Sequence, residues 1–319
     1  MGARGTLVVL CGATGVGKSE VAVRLAEALG CSIVNADSRQ VYSELQIGAA
    51  SPTAAQLARV PHYLVGHKRL YEPYSCGAYE REALSVLDRL FEREPVVLLV
   101  GGSMLYIDAV CDGIDDFPEP DRALRLELNR ALAEGGAGAL AERLRAVDPA
   151  SYEVIDRCNG ARLLRALEVS LQTGRPYSAW RTGRRAERDF SIVKLGLCRP
   201  WDELTLRIGS RVDSMVSAGL EREVRGLLAW RDSNGMRSVG YREMLRYIDG
   251  EWPLAQAVEK IKVNTRRYAK RQMRWWQRDG SIRWFAGDAY EEIFGYLCDR
   301  LDLGSEAVER KSESDGRGT

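Results

Sequence analysis

The chain has 319 residues, 45% of them hydrophobic and 29% charged, which is typical of a globular protein that buries a full core. No apolar run approaches the length of a membrane span and the N-terminus lacks a signal-peptide pattern, which argues against a membrane or secreted protein. Seven dispersed cysteines without a C-x-x-C pair argue against a zinc or disulfide framework. We therefore expect a cytoplasmic protein that has no contact with a membrane.

The first predicted element is an apolar strand over residues 7–11, which runs through a glycine-rich turn into a helix. The turn matches the G-x-x-x-x-G-K-[ST] pattern in the strand–turn–helix context that this pattern requires. Its residues are Gly12, Ala13, Thr14, Gly15, Val16, Gly17, Lys18 and Ser19. Backbone N–H groups and the Lys18 ammonium would surround phosphate oxygens, and the Ser19 hydroxyl would reach a bound Mg²⁺. The sequence therefore predicts an ATP-type P-loop that binds a diphosphate or triphosphate.

A second short strand is predicted over residues 32–36, and Asp37 follows it directly. In an open parallel sheet, residues just past the carboxyl end of a strand line the ligand crevice. Asp37 is then expected to face whatever lies beside the P-loop. The alternative is an aspartate that only caps a helix or closes a turn.

The continuous apolar run 95–100 predicts a strand that is buried on both faces and therefore parallel. It ends in Gly101 and Gly102, where P-loop ATPases commonly place an aspartate that holds Mg²⁺. The missing acid argues against an ATPase and favours a transferase on the same sheet. Ser103 follows, and its hydroxyl either caps the next helix or faces the phosphates.

Residues 113–188 show helical patterns alone, and the next strand pattern comes at 192–197. We therefore predict an α/β fold, a P-loop NTPase-like parallel sheet flanked by helices, with a small helical insertion domain. The core domain would comprise residues 1–112 and 189–303, the insertion residues 113–188, and residues 304–319 would form a disordered polar tail. Within the core, Arg207 and Arg211 stand one helical turn apart, so both can address the same anion.

Residues 253–278 predict a long helix with a strongly cationic face. Steps of four and three place Lys260, Asn264, Arg267, Arg271, Arg274 and Arg278 on that face, with Lys262, Arg266 and Lys270 beside it. The expected inward seam is Val258, Ile261, Thr265, Tyr268, Gln272 and Trp275. Such a face repels itself unless a polyanion neutralises it, which favours nucleic-acid binding over a solvated surface.

Four further motifs, at residues 35–42, 162–168, 239–243 and 265–272, join the P-loop in one resemblance. In order along residues 5–286, the chain resembles the tRNA dimethylallyltransferases (tRNA isopentenyltransferases). The resemblance implies transfer of a dimethylallyl group from dimethylallyl diphosphate to N6 of the adenosine 3′-adjacent to the anticodon. That base would be flipped out of the tRNA into the site.

The resemblance also implies roles for individual residues. Asp37 would be the general base, the P-loop with Mg²⁺ would hold the diphosphate, and Ser103, where the family usually has threonine, would bond the leaving group. Arg211, or Arg207 one turn away, would neutralise charge on the departing diphosphate. The implied tRNA contacts are Asp37, Ser38, Arg39, Gln40, Ser103, Arg125, Ala161, Arg162, Leu163, Leu164, Arg165, Arg237, Ser238, Val239, Gly240, Tyr241 and Arg242. The basic helix would add Arg267, Arg271 and Arg274.

The expected partners are dimethylallyl diphosphate and the anticodon stem-loop of tRNA, and the expected state is a monomer. Two alternatives have other activities. A nucleoside or small-molecule kinase also pairs a P-loop with a small helical lid, and an RNA-binding protein can retain a P-loop without catalysis.

Overall fold

The computed structural model describes residues 3–183 and 185–302, and the tail predicted at 304–319 lies outside these residues. The strands are β1 (Thr6–Gly12), β2 (Ile33–Asn35), β3 (His62–Tyr63), β4 (Val96–Val100), β5 (Ser191–Cys198) and β6 (Arg283–Ala286). The first helices are α1 (Lys18–Leu29), α2 (Ala54–Arg59), α3 (Cys76–Phe91), α4 (Met104–Asp112), α5 (Arg122–Val147), α6 (Pro149–Val154), α7 (Gly160–Thr173) and α8 (Tyr177–Trp180). They continue with α9 (Trp201–Ser217), α10 (Leu220–Gly226), the 3₁₀ helix Leu228–Trp230, α11 (Tyr241–Ile248), α12 (Leu254–Trp276) and α13 (Tyr290–Arg300). No helix in this described part of the chain is long and apolar enough to span a bilayer.

The six strands form one sheet in the order β3-β2-β4-β1-β5-β6. All pairs are parallel, and central β1 aligns Val8 with Leu98 on one side and with Val193 on the other. The fully apolar β4 is buried along its length, as a strand covered on both faces should be. The predicted α/β, P-loop NTPase-like fold is therefore confirmed.

Successive residues of β1 enter different hydrophobic cores because side chains alternate across a strand. Leu7 and Val9 belong to one core, and Val8 and Leu10 belong to the other. All four side chains are 0% exposed. The central strand is therefore buried on both faces, and the P-loop follows its carboxyl end.

The chain divides into two compact units, one with residues up to Cys111 and from Glu187 onward, the other spanning Asp112–Ala186. The second unit contains α5 to α8 around its own small core. Its fully buried members include Leu128, Leu140, Leu144, Leu163, Leu167 and Ala166.

Candidate functional site

The P-loop connects β1 to α1 through backbone conformations that favour glycine. Gly15 has φ of 83° and Gly17, the N-cap of α1, has φ of 116°, a region that side chains with a Cβ rarely adopt. The first turn of α1 thus begins at Lys18 with its N–H groups directed at the loop, the arrangement that binds anions.

The side chain of Lys18 lies along the P-loop. Its Nζ donates to the carbonyl oxygens of Gly12 at 2.8 Å and Ala13 at 3.0 Å. Burial lowers the pKa of Lys18 to about 8; the nearby Arg211 guanidinium adds to the shift and the Asp37 carboxylate opposes it. Arg207 also reaches the loop, since its Nε donates to the Gly15 carbonyl oxygen at 2.9 Å.

Asp37 closes a turn at the end of β2 and keeps one oxygen available. Its Oδ1 accepts the N–H groups of Arg39 at 2.8 Å and Gln40 at 3.4 Å. Its own N–H donates to Asn35 Oδ1 at 3.1 Å. Across residues 3–183 and 185–302 no group donates a hydrogen bond to Oδ2. The turn role considered from sequence is therefore present, and it leaves Oδ2 able to accept a proton.

Ser103 fixes the neighbouring turn. Its hydroxyl oxygen accepts the Ser38 N–H at 2.8 Å, while its backbone N–H donates to the Ala36 carbonyl at 3.0 Å. Gly101 permits this approach, because an added Cβ would lie 2.1 Å from the Ala36 carbonyl oxygen. The buried hydroxyl of Ser103 thus fixes Ser38, the residue after Asp37. The two alternatives considered from sequence, a helix cap and a phosphate contact, did not include this hydrogen bond.

Two cavities meet at the carboxyl end of the sheet. The first, about 660 Å³, runs along the P-loop. The second, about 290 Å³, opens on the side of residues 237–242. Both are lined by Thr14, Asp37, Arg211 and Tyr268. The first also includes Gly15, Gly17, Lys18, Ser19, Gln40, Arg207 and Gln272, and the second Ser38, Arg39, Arg237, Ser238, Val239, Gly240, Arg242 and Arg271.

Arg211 is the cation at the junction of the two cavities. Burial lowers the pKa of its guanidinium, and the Asp37 carboxylate opposes that shift. Arg207 lines only the first cavity and is committed to the Gly15 carbonyl. Of the two arginines considered from sequence, Arg211 is therefore the one that lines both cavities.

Tyr241 does not line either cavity, although its neighbours in residues 237–242 do. Its side chain is 0% exposed and its hydroxyl donates to Glu223 Oε1 at 2.6 Å. The same carboxylate accepts the N–H groups of Gln46, Ile47 and Gly48 at 3.1, 2.7 and 3.0 Å. The Tyr241 side chain therefore anchors the wall of the second cavity, and contact of this residue with tRNA stays a prediction.

The predicted contacts on α5 and α7 belong to the second unit. Arg125 forms a two-pronged ion pair with buried Glu168, at 2.8 and 2.7 Å, and Arg165 donates to the same carboxylate at 2.6 Å. Leu163 and Leu164 are buried in the core of this unit, and contact of their segment with RNA stays a prediction. Ala161 and Arg162 are exposed at the start of α7, where Asn159 caps the helix.

The cationic face of α12 is exposed. Arg267, Arg271 and Arg274 are solvent-exposed, and within the described chain no carboxylate forms an ion pair with them. By contrast, Lys262 pairs with Asp213 at 2.7 Å, Arg266 with Glu259 at 3.4 Å, and Lys270 lies 4.6 Å from the centre of the Trp201 ring. These three residues therefore flank the open face, and each contacts a local group: Lys262 and Arg266 a carboxylate, and the exposed Lys270 an aromatic ring.

Two site residues on α12 were predicted only as members of its inward seam. Tyr268 lines both cavities, donates its hydroxyl to the Gly102 carbonyl at 3.2 Å, and has its pKa raised to about 12 by burial. Gln272 is 1% exposed and contacts both the P-loop and Gly102. The sequence did contain a signal for both residues, because buried polar side chains in an otherwise apolar seam need hydrogen-bond partners.

A family model described as IPP transferase matches residues 40–279. A tRNA dimethylallyltransferase 1 from Bacteroides thetaiotaomicron is 49% identical over 292 residues, covering 92% of this chain and 95% of that protein. The crystal structure of a tRNA isopentenylpyrophosphate transferase from Bacillus halodurans is 32% identical and superposes with a TM-score of 0.67, covering 98% of this chain and 99% of that one. A eukaryotic dimethylallyltransferase acting on tRNA, 22% identical, shares the fold with a TM-score of 0.76 over 95% of this chain and 79% of its own. The chain therefore belongs to the IPP transferase family of prenyltransferases.

Proposed function

We propose that this protein transfers a dimethylallyl group from dimethylallyl diphosphate to N6 of the adenosine that follows the anticodon in tRNA. The C1–O bond of the donor breaks, a C1–N6 bond forms, and diphosphate leaves with the electron pair of the broken bond. The observation that carries the proposal is the meeting of two cavities at Asp37 and Arg211, which gives a donor and an acceptor separate approaches to one reaction centre.

The P-loop would hold the diphosphate. Lys18 and the N–H groups at the start of α1 supply positive charge, and Arg211 faces the same cavity. Ser19 would hold a Mg²⁺ through its hydroxyl, because this exposed residue lines the cavity and Mg²⁺ prefers oxygen ligands. When bound, the ion would neutralise charge on the leaving group.

Asp37 would accept the N6 proton. An exocyclic amine is a poor nucleophile, and a carboxylate beside it removes the proton as the new bond forms. The Oδ1 contacts to Arg39 and Gln40 hold the carboxylate in place, and Oδ2 is the oxygen that receives the proton.

The tRNA would approach through the second cavity. Arg39, Arg237, Arg242 and Arg271 line that cavity, and Arg267 and Arg274 extend the positive surface along α12. Guanidinium groups in this arrangement suit phosphates around a flipped base.

Nucleoside analysis of tRNA tests the function in cells. We expect N6-(dimethylallyl)adenosine, and derivatives built on it, to disappear from tRNA when the gene is deleted and to return when it is restored. An unchanged nucleoside profile after deletion would exclude the proposed activity.

Diphosphate binding should weaken as pH rises through the pKa of Lys18. The folded pKa is about 8, so the ammonium is present below this pH and is lost above it. A bound anion stabilises the ammonium, hence binding takes up one proton above that pH, and affinity should fall by up to about tenfold per pH unit there. Calorimetry with Mg²⁺ and inorganic diphosphate measures this, and Lys18→Met corrects for titration of the ligand. Identical pH profiles for both proteins would show that Lys18 does not carry the effect.

A further inference from the structure

The carboxamide of Gln272 bridges two segments of the proposed donor site. Its Oε1 accepts the Thr14 N–H of the P-loop at 2.9 Å, and its Nε2 donates to the Gly102 carbonyl at 2.7 Å. The side chain is 1% exposed, so both hydrogen bonds are shielded from water. Thr14 in turn lines both cavities.

We propose that Gln272 is a positioning residue that sets the P-loop against the turn carrying the base. This inference rests on the proposed function, in which the P-loop holds diphosphate. Gly102 precedes Ser103, whose hydroxyl holds the N–H of Ser38 beside Asp37. The carboxamide of Gln272 on α12 therefore links the P-loop, which would hold the leaving group, to the turn that carries Asp37.

Only a side chain with one donor and one acceptor in a fixed plane satisfies both segments. Thr14 presents an N–H and Gly102 presents a carbonyl oxygen, so an amide meets both without a charge. A glutamate at this position would point a second acceptor at the Gly102 carbonyl. A methionine would leave the Thr14 N–H without its partner and the Gly102 carbonyl with the Tyr268 hydroxyl alone. A buried backbone group that loses its partner is costly, and the loop would move to recover one.

Gly102 provides an independent way to disturb the bridge. Its φ lies outside the left-handed region, so its backbone accepts alanine. A Cβ there would lie 2.7 Å from Gln272 Nε2 and 3.8 Å from Asp37 Oδ2. Gly102→Ala should therefore displace the carboxamide while Gln272 itself is unchanged, and the effects of the two substitutions should not add.

Gln272→Glu distinguishes positioning from a purely structural role. A protonated glutamic acid again has one donor and one acceptor, whereas the carboxylate has acceptors only. The ratio of diphosphate affinities, variant to wild type, should therefore recover as the pH is lowered. The same charged groups line this cavity in both proteins, so their titration largely cancels in the ratio; they are Lys18, Glu20, Asp37, Arg207 and Arg211.

The experiment measures inorganic diphosphate affinity in the presence of Mg²⁺, then KM for the donor and kcat. For Gln272→Met and Gly102→Ala we expect diphosphate affinity to fall by roughly tenfold, with stem-loop affinity unchanged. For Gln272→Glu we expect the loss near neutral pH and recovery toward wild type at about pH 5.5, because burial at this 1%-exposed position raises the pKa of a carboxyl group. Circular dichroism confirms that each variant is folded.

A ratio for Gln272→Glu that stays constant with pH would overturn the proposal, even if the other variants bind weakly. If Gln272→Met does not fold, the Glu and Gly102→Ala variants decide alone. Failure of the proposed function is separate: wild-type protein would then bind diphosphate and transfer no prenyl group, whatever the variants do.

Discussion

Asp37→Asn should lower the turnover of prenyl transfer by about 10²- to 10⁴-fold, the usual contribution of a positioned base. The asparagine Oδ1 still accepts the N–H groups of Arg39 and Gln40, so the turn after β2 should persist. What is lost is the carboxylate oxygen Oδ2, which receives the proton from N6. Single-turnover kinetics with saturating donor and an anticodon stem-loop measure this step.

Binding assays provide the control for this substitution. Stem-loop affinity of Asp37→Asn should match that of the wild type, since the backbone of the turn is intact. Diphosphate affinity should not fall, since the substitution removes a negative charge from the cavity. A turnover that falls by less than about threefold would contradict the role of general base, because such a loss is far below that expected for a proton acceptor in the reaction.

Replacing Arg267, Arg271 and Arg274 together with glutamine should produce the second large effect. These guanidinium groups are exposed and have no carboxylate partner within the described residues. Each phosphate contact contributes nearly one unit to the slope of log affinity against log salt concentration, so three contacts give about 10²-fold weaker stem-loop binding at about 0.1 M salt. Filter binding over a salt series measures both quantities.

The same helix supplies a matched control. Lys262, Arg266 and Lys270 already have local partners in Asp213, Glu259 and the Trp201 ring. Their triple glutamine variant removes the same formal charge from a part of α12 about a third of a turn away. Its salt slope should remain close to that of the wild type. Equal losses for both triples would mean that net charge, and not the open face, determines binding.

Strong periodic signals in the sequence predicted the central sheet well. The apolar runs at 7–11, 95–100 and 192–197 correspond to β1, β4 and β5. Within the insertion, Gly135, Gly136 and Gly138 favour an interruption of the helical pattern, and Gly136 has non-helical φ and ψ of 69° and −174° inside α5. These features depend on local chemistry, which a single sequence contains.

Weaker or non-local elements were missed. β3 has two residues and β6 has four, and both form at sheet edges where the pairing partner, not the segment itself, decides the conformation. The helix α2 lies between Pro52 and Pro61, where no element was predicted. Its capping box, Thr53 with Gln56, was a readable signal. The helices α9 and α10 are separated at Gly219, whose φ is 101°.

The site was predictable where a local sequence motif determines the structure. It was not predictable where contacts between residues distant in sequence determine the position of a side chain. The P-loop motif predicted the phosphate-binding loop. The position of Asp37 directly after a strand predicted that this residue lies in the crevice beside the loop. The buried state of Tyr241 and the bridge made by Gln272 arise from residues distant in sequence, Glu223, Thr14 and Gly102. No local pattern contains that information.

The most direct test of the account offers the purified protein dimethylallyl diphosphate, Mg²⁺ and an anticodon stem-loop with adenosine next to the anticodon, with ATP and a nucleoside in a parallel reaction. We predict a prenylated adenosine in the stem-loop and free diphosphate in equal amounts, and no consumption of ATP. Phosphate transfer from ATP to the nucleoside, with an unmodified stem-loop, would contradict the account and identify a kinase.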